Sequence, residues 1–188
     1  PCQVSLQALI EPAHRVVPRP EPAGFPRTWA VAPLAPPLRG LITAYKDQGR
    51  RDVGRVLAPL AASSIRAALA ESARAPSTPV ILVPLPSSMR SVRRRGDRPI
   101  EDLVLAAAEL LPGRIRVVRA LTLCRGTKDQ SRLSWSERAS NLAGAMAVPP
   151  GLTPAWAGHD VVLVDDIVTT GATLREAAQT VRAQGIDV

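Results

Sequence analysis

The stretch VVLVDDIVTTGATL, residues 161–174, constrains this chain more than any other. Four apolar residues, Val161 to Val164, read as a buried strand. Two adjacent carboxylates, Asp165 and Asp166, then stand where like charges repel. Small residues follow (Thr169, Thr170, Gly171, Ala172 and Thr173), and TLREAAQTVRAQG has the spacing of an amphipathic helix stopped by Gly185. The plainest account is a strand-to-helix turn with a capping acid. The chemically sharper one starts from where open α/β sheets bind ligands, at the carboxyl ends of strands. A loop entering a helix there offers free backbone N–H groups and the positive end of a dipole, which suit a phosphate. Paired carboxylates accept hydrogen bonds from vicinal ribose hydroxyls, or hold Mg²⁺ directly or through water. The order acid, acid, then threonines and glycine fits a ribose 5-phosphate: sugar on the acids, phosphate in the loop.

Upstream segments supply the rest of an α/β pattern. Pro12, Pro18, Pro20, Pro22, Pro26, Pro33, Pro36 and Pro37 crowd residues 11–37, which reads as an extended arm with at most a short strand in TWAVAPL. Leu38, Leu41, Ile42 and Tyr45 predict a helix ending at Gly49. Residues 52–73 predict another, with Pro59 expected to kink or restart it. VILVPLP, residues 80–86, reads as a buried strand, PIEDLVLAAAELL as a helix closed by Pro112 and Gly113, and RIRVVRAL as a second strand. A polar stretch over 124–134 leads to SWSERASNLAGA, which opens on the capping-box pair Ser134 and Glu137. AMAV is a short strand candidate, and IDV at 186–188 looks like a strand cut short. Strands alternating with helices predict a parallel sheet covered on both faces.

With 188 residues, the chain supports one domain with a proper core. No apolar run approaches the ~20 residues that span a bilayer, and residues 1–30 lack the basic-then-apolar order of a leader. A cytoplasmic, membrane-free protein is expected. The net charge of +8, mostly arginine, suits an acidic partner, either nucleic acid or a phosphorylated small molecule. Aromatics at 3% argue against bases stacking on side chains; Trp29, Trp135 and Trp156 are expected to pack. The lone His14 and His159 are expected to sit at the surface or in loops. Cys2 and Cys124 exclude a disulfide framework.

VVLVDDIVTTGATL resembles the phosphoribosyl-pyrophosphate (PRPP) motif of type I phosphoribosyltransferases. It is neither a Walker A loop nor a G-x-G-x-x-G turn. AYKDQGR around Lys46, VPLPSSMRSVRRRG at 83–96 and CRGTKDQSRLSWSERASNLAGAMAV at 124–148 extend the likeness, over most of 38–188, to the ComF family of phosphoribosyltransferase-like proteins. That family is linked to competence and to gluconate transport.

The resemblance implies a type I phosphoribosyltransferase-like α/β fold, with a mostly parallel central sheet flanked by helices and a flexible hood over 124–141. It places the phosphoribosyltransferase-like domain at 38–188, after the proline-rich arm of 1–37, which would be a remnant of the family's zinc-binding segment. It makes Asp165 and Asp166 the catalytic and Mg²⁺-binding pair. Residues 169–173 would take the 5-phosphate, and Pro86, Ser87, Ser88, Arg90 and Arg95 the pyrophosphate. Arg95, Gly96, Gln130, Arg138 and Asn141 match recurrent family positions. Two departures stand out. Asp97, Arg98 and Pro99 replace the family's Phe-Asn-Gln, and Ser5 stands where a C-x-x-C partner of Cys2 would fall, so no zinc is expected in this chain. Thr169 occupies the place of the acid that purine-salvage relatives use on the base, which argues against simple hypoxanthine or guanine salvage. Two functions stay open: Mg²⁺-dependent transfer of a phosphoribosyl group from PRPP to an unidentified acceptor, or a non-catalytic role, as a PRPP- or nucleotide-binding sensor or as a competence-related DNA-uptake accessory. A homodimer is compatible with either.

Overall fold

The computed structural model describes residues 12–72, 75, 77–86, 96, 98–124, 144–151, 156 and 158–188. Within them, α/β layering follows directly from the apolar pattern. VILVP forms β3 (Val80–Pro84), whose five residues are all buried. It is the middle of a three-stranded parallel sheet, between β4 (Ile115–Val117) and β7 (Asp160–Val164). Its register runs Val80↔Ile115 on one side and Val80↔Asp160 through Pro84↔Val164 on the other. Alternate side chains of β3 serve opposite faces, as the pleat requires. Ile81, Val83 and Leu85 meet Leu174, Ala177 and Val181 of α4 (Ala172–Arg182). Val80 and Leu82 meet Ala62 and Ile65 of α2 (Gly54–Ala70), and Ile100, Val104 and Ala107 of α3 (Pro99–Ala108). A strand apolar on both sides is therefore sandwiched, as parallel sheets are.

The helices begin and end for local reasons. Pro99 occupies the first turn of α3 with Glu101 and Asp102 behind it, so a preset φ and two anions favour the start. α1 (Leu38–Asp47) buries Leu38, Ile42 and Tyr45, the expected stripe. Those side chains join Leu57, Leu60 and Leu103 in a helix-only cluster beside the sheet. Tyr45 is 4% exposed, donates its hydroxyl to the Pro99 carbonyl at 3.0 Å and carries the Arg51 guanidinium over its ring. Desolvation holds the Tyr45 phenol above its ordinary pKa, so it stays a donor at neutral pH. Tyr45→Phe is expected to cost about 1 kcal/mol, because it removes a buried hydrogen bond; urea denaturation at pH 7 measures it.

Several expectations need correction. Pro59 does not restart its helix: α2 runs through it, preceded by a 3₁₀ turn at Arg51–Val53. Pro59 lies on the exposed side, where water can meet the carbonyl left without an N–H donor. RIRVVRAL is not one strand. β4 stops at Val117, and β5 (Thr122–Leu123) pairs antiparallel with β6 (Met146–Ala147) in a separate ribbon. The arm does carry the short strand expected in TWAVAPL, β2 (Trp29–Ala30), which pairs antiparallel with β1 (His14–Arg15). Residues 51–70 are long and apolar enough to cross a membrane. However, their stripe of Leu57, Leu60, Ala62 and Ile65 is buried within the fold. Trp156, 3% exposed, packs in the core as expected. Residues 134–143 lie outside the described residues, and with them the capping-box helix start.

Candidate functional site

The helix that follows β3 covers one face of the sheet, and the helix that follows β7 covers the other. The carboxyl ends of these neighbouring strands therefore form a topological switch point, where connections diverge and leave a crevice. Asp165 and Asp166 stand directly at it. The Leu85 N–H bonds the Val164 carbonyl at 2.9 Å, which carries the β3–β7 pairing to the start of both loops. Pro86 comes one residue later and shares this edge.

The turn into α4 is made by Gly171, the N-cap, at φ 73° in the left-handed region. A glycine cap has no side chain to bond the first amides, and the first turn of α4 holds no acid. Thr170 Oγ1 accepts weakly from the Ala172 N–H at 3.4 Å. An anion would complete this end of the helix. Thr169, Thr170, Gly171, Ala172 and Thr173 are thus brought together beside the two acids.

The electrostatics of the acids are unequal. Asp166 meets the Lys46 ammonium of α1, with Nζ 2.8 Å from Oδ2 and 3.1 Å from Oδ1. Its backbone N–H donates to Asp165 Oδ1 at 2.9 Å. Asp165 keeps some residue surface, but its carboxyl is enclosed by protein atoms. Burial first, and the Asp166 charge second, push it up to about 7. Near neutrality the pair therefore holds fewer than two full charges, which is how neighbouring carboxylates coexist.

Space adjoins the pair. A cavity of about 830 Å³ reaches Asp165, Asp166 and Thr169, and runs beside β7 between the arm and α2. A smaller one of about 170 Å³ lies against Thr170, Ala172 and Arg175, under residues 20–23 of the arm. The Arg175 Nε there is buried without a hydrogen-bond partner among the described residues. Two residues missed by sequence reasoning, Phe25 and Pro18, press on the turn, at 2.6 and 2.8 Å from where a Cβ on Gly171 would lie. Nothing local in the sequence marks that contact. For Lys46 there was a signal, its place in the AYKDQGR segment. Ser87, Ser88, Arg90, Arg95, Gln130, Arg138 and Asn141 lie outside the described residues.

Comparison with known proteins adds to this geometry. A model described as the phosphoribosyl transferase domain matches residues 107–188, a span that includes β7, both acids and α4. The DNA utilization protein YhgH of Escherichia coli O6:H1 is 31% identical over 174 residues, which make up 93% of this chain and 73% of that protein. The chain belongs to the ComF/YhgH family of phosphoribosyltransferase-like proteins. YhgH of Salmonella typhimurium is 30% identical over the same coverage. No solved structure matches the chain. Within this ComF/YhgH fold, the hard oxygen donors of Asp165 and Asp166 fit Mg²⁺. The Lys46 ammonium already covers one side of Asp166, so a hydrated ion bound mainly by the ligand fits better than one held by both carboxylates.

Proposed function

We propose that this protein binds PRPP with Mg²⁺ at the β3–β7 switch point and transfers its phosphoribosyl group to an acceptor. The observation that carries this is the adjacency of the two acids and an uncapped, glycine-started helix at that crevice. In the reaction the bond from the ribose anomeric carbon to pyrophosphate breaks. A bond from the acceptor's nucleophilic atom, typically nitrogen, forms in its place, and the acceptor's proton is lost. Mg²⁺, when bound, would neutralise charge on the departing pyrophosphate. The carboxylates orient the sugar through its hydroxyls, and the α4 amides hold the 5-phosphate away from the reacting carbon. Ser87, Ser88, Arg90 and Arg95 are the proposed pyrophosphate contacts.

Isothermal calorimetry with PRPP and Mg²⁺ tests this. The Asp165→Asn/Asp166→Asn variant is expected to bind about 100-fold more weakly, since each charge-assisted hydrogen bond is worth about 1.5–3 kcal/mol. No heat with the wild type would remove the proposal. A second function is favoured by the name of the relatives, DNA utilization protein, together with the net charge of +8. In that case PRPP binds without pyrophosphate release across a panel of bases and amines. Salt-sensitive binding of single-stranded DNA that survives the double substitution would then mark a separate nucleic-acid surface.

A further inference from the structure

We propose that Lys46 is a positioning residue of this site, fixing the plane and direction of the Asp166 carboxylate for a ligand diol. The inference rests on the sugar-binding role given above to the acid pair, and on geometry that role does not use. Across 120 positions of sequence the ammonium donates to Asp166 Oδ1 at 3.1 Å and lies 2.8 Å from Oδ2 as an ion-pair contact, Oδ2 having no hydrogen-bond partner among the described residues. An ion touching both oxygens restrains rotation about the carboxylate axis, whereas one touching a single oxygen does not. The Asp166 side chain is 6% exposed and that of Lys46 34%. The acid is therefore lodged in the fold, while the amine keeps a wet side. This is the arrangement of a charge that serves a buried group at an opening.

The rest of α1 anchors the lysine. Tyr45, its neighbour, is locked to the first turn of α3 by its hydroxyl bond, and its ring lies beneath Arg51, which also donates to the Tyr45 carbonyl at 2.7 Å. Lys46 sits in the last turn of α1, where an ammonium ordinarily bonds the terminal carbonyls. Here it reaches Asp166 instead. Asp166 is thus gripped from two sides, by the lysine at its carboxylate and by Asp165 at its backbone N–H.

The test compares Lys46→Met, Lys46→Arg, Asp166→Asn and the double variant Lys46→Met/Asp166→Asn. PRPP affinity is read in the presence of Mg²⁺, and crystal structures are taken of the wild type and Lys46→Met. Lys46→Met is expected to weaken binding about tenfold and Lys46→Arg to restore it to within about threefold. The double variant should bind no worse than Asp166→Asn alone, because Lys46 acts through that carboxylate. In the Lys46→Met crystal the carboxylate should rotate out of its wild-type plane. Wild-type affinity in Lys46→Met, equal losses with Met and Arg, or losses that multiply in the double variant would overturn the inference. If the wild type binds no PRPP, the sugar-binding role fails by itself. The positioning role then stands or falls on the crystal comparison, and an unmoved Asp166 carboxylate sinks it.

Discussion

Gly171→Ala is expected to lower stability by about 2–4 kcal/mol and to weaken PRPP binding along with it. Two independent costs combine. The residue sits at φ 73°, where an L side chain costs about 1–2 kcal/mol. The new Cβ would also lie 2.6 Å from Phe25 Cε2 and 2.8 Å from Pro18 Cγ. Neither neighbour is a flexible side-chain end: one is a ring packed on the core cluster that contains Leu174 and Ala177, the other a buried proline. The arm must shift, and the remaining cost is that of overpacking. Gly185→Ala is the control. Its φ is 77°, with nothing within 4 Å of an added Cβ, so only the backbone cost of about 1–2 kcal/mol applies. Urea titration of both variants separates the terms. Equal losses would show that the arm does not press on the turn.

The second large effect is a pH dependence. Burial and the Asp166 charge raise the Asp165 carboxyl to about 7, from an ordinary 3.8. Between those values the folded chain keeps a proton that the unfolded chain has released. The stability this group contributes is therefore complete below about pH 4 and is lost as pH rises through about 7. At about 1.4 kcal/mol per tenfold change in proton affinity, the full contribution is about 4 kcal/mol. Asp165→Asn lacks the titration, so the variant should gain on the wild type steadily from pH 4 to pH 8. Other carboxylates pull the opposite way: Asp52, hydrogen-bonded by Arg50, is held below its usual range. The informative quantity is thus the difference between the two stability curves. A flat difference would mean that Asp165 is solvated in the folded protein.

Much of this was legible before any coordinates. The apolar run Val80–Pro84, the strand before Asp165 and the stripe of α4 follow from local periodicity, and each lies where expected. The turn that brings Asp165, Asp166 and residues 169–173 together is contiguous, so its composition already described it. What stayed hidden depends on distance along the chain. Lys46 and Asp166 are 120 residues apart, and no periodicity couples them. Phe25 is one more hydrophobe in a proline-rich stretch until the fold presses it on Gly171. Of the β5–β6 ribbon, β6 lies within the AMAV candidate, but β5 and the pairing were missed because two-residue strands carry almost no pattern, and RIRVVRAL, with only partial alternation, looked continuous across the break at Val117. Pro59 misled because the penalty for an interior proline falls when the affected carbonyl faces water.

A strand with greasy side chains on both sides has a weakness: sliding it by one position exposes nothing polar and hides nothing new, so hydrophobic sorting cannot detect the error. For β3, alignment must be policed at its ends, by Asp160 N–H on the Pro79 carbonyl and Leu85 N–H on that of Val164, both at 2.9 Å. One step of slippage would displace the acid pair by roughly 3.3 Å relative to the neighbouring loop and turn each side chain toward the opposite layer. The pairing of β3 with β7, carried on by the Leu85 N–H, therefore also sets the distance between the acid pair and the loop across the crevice.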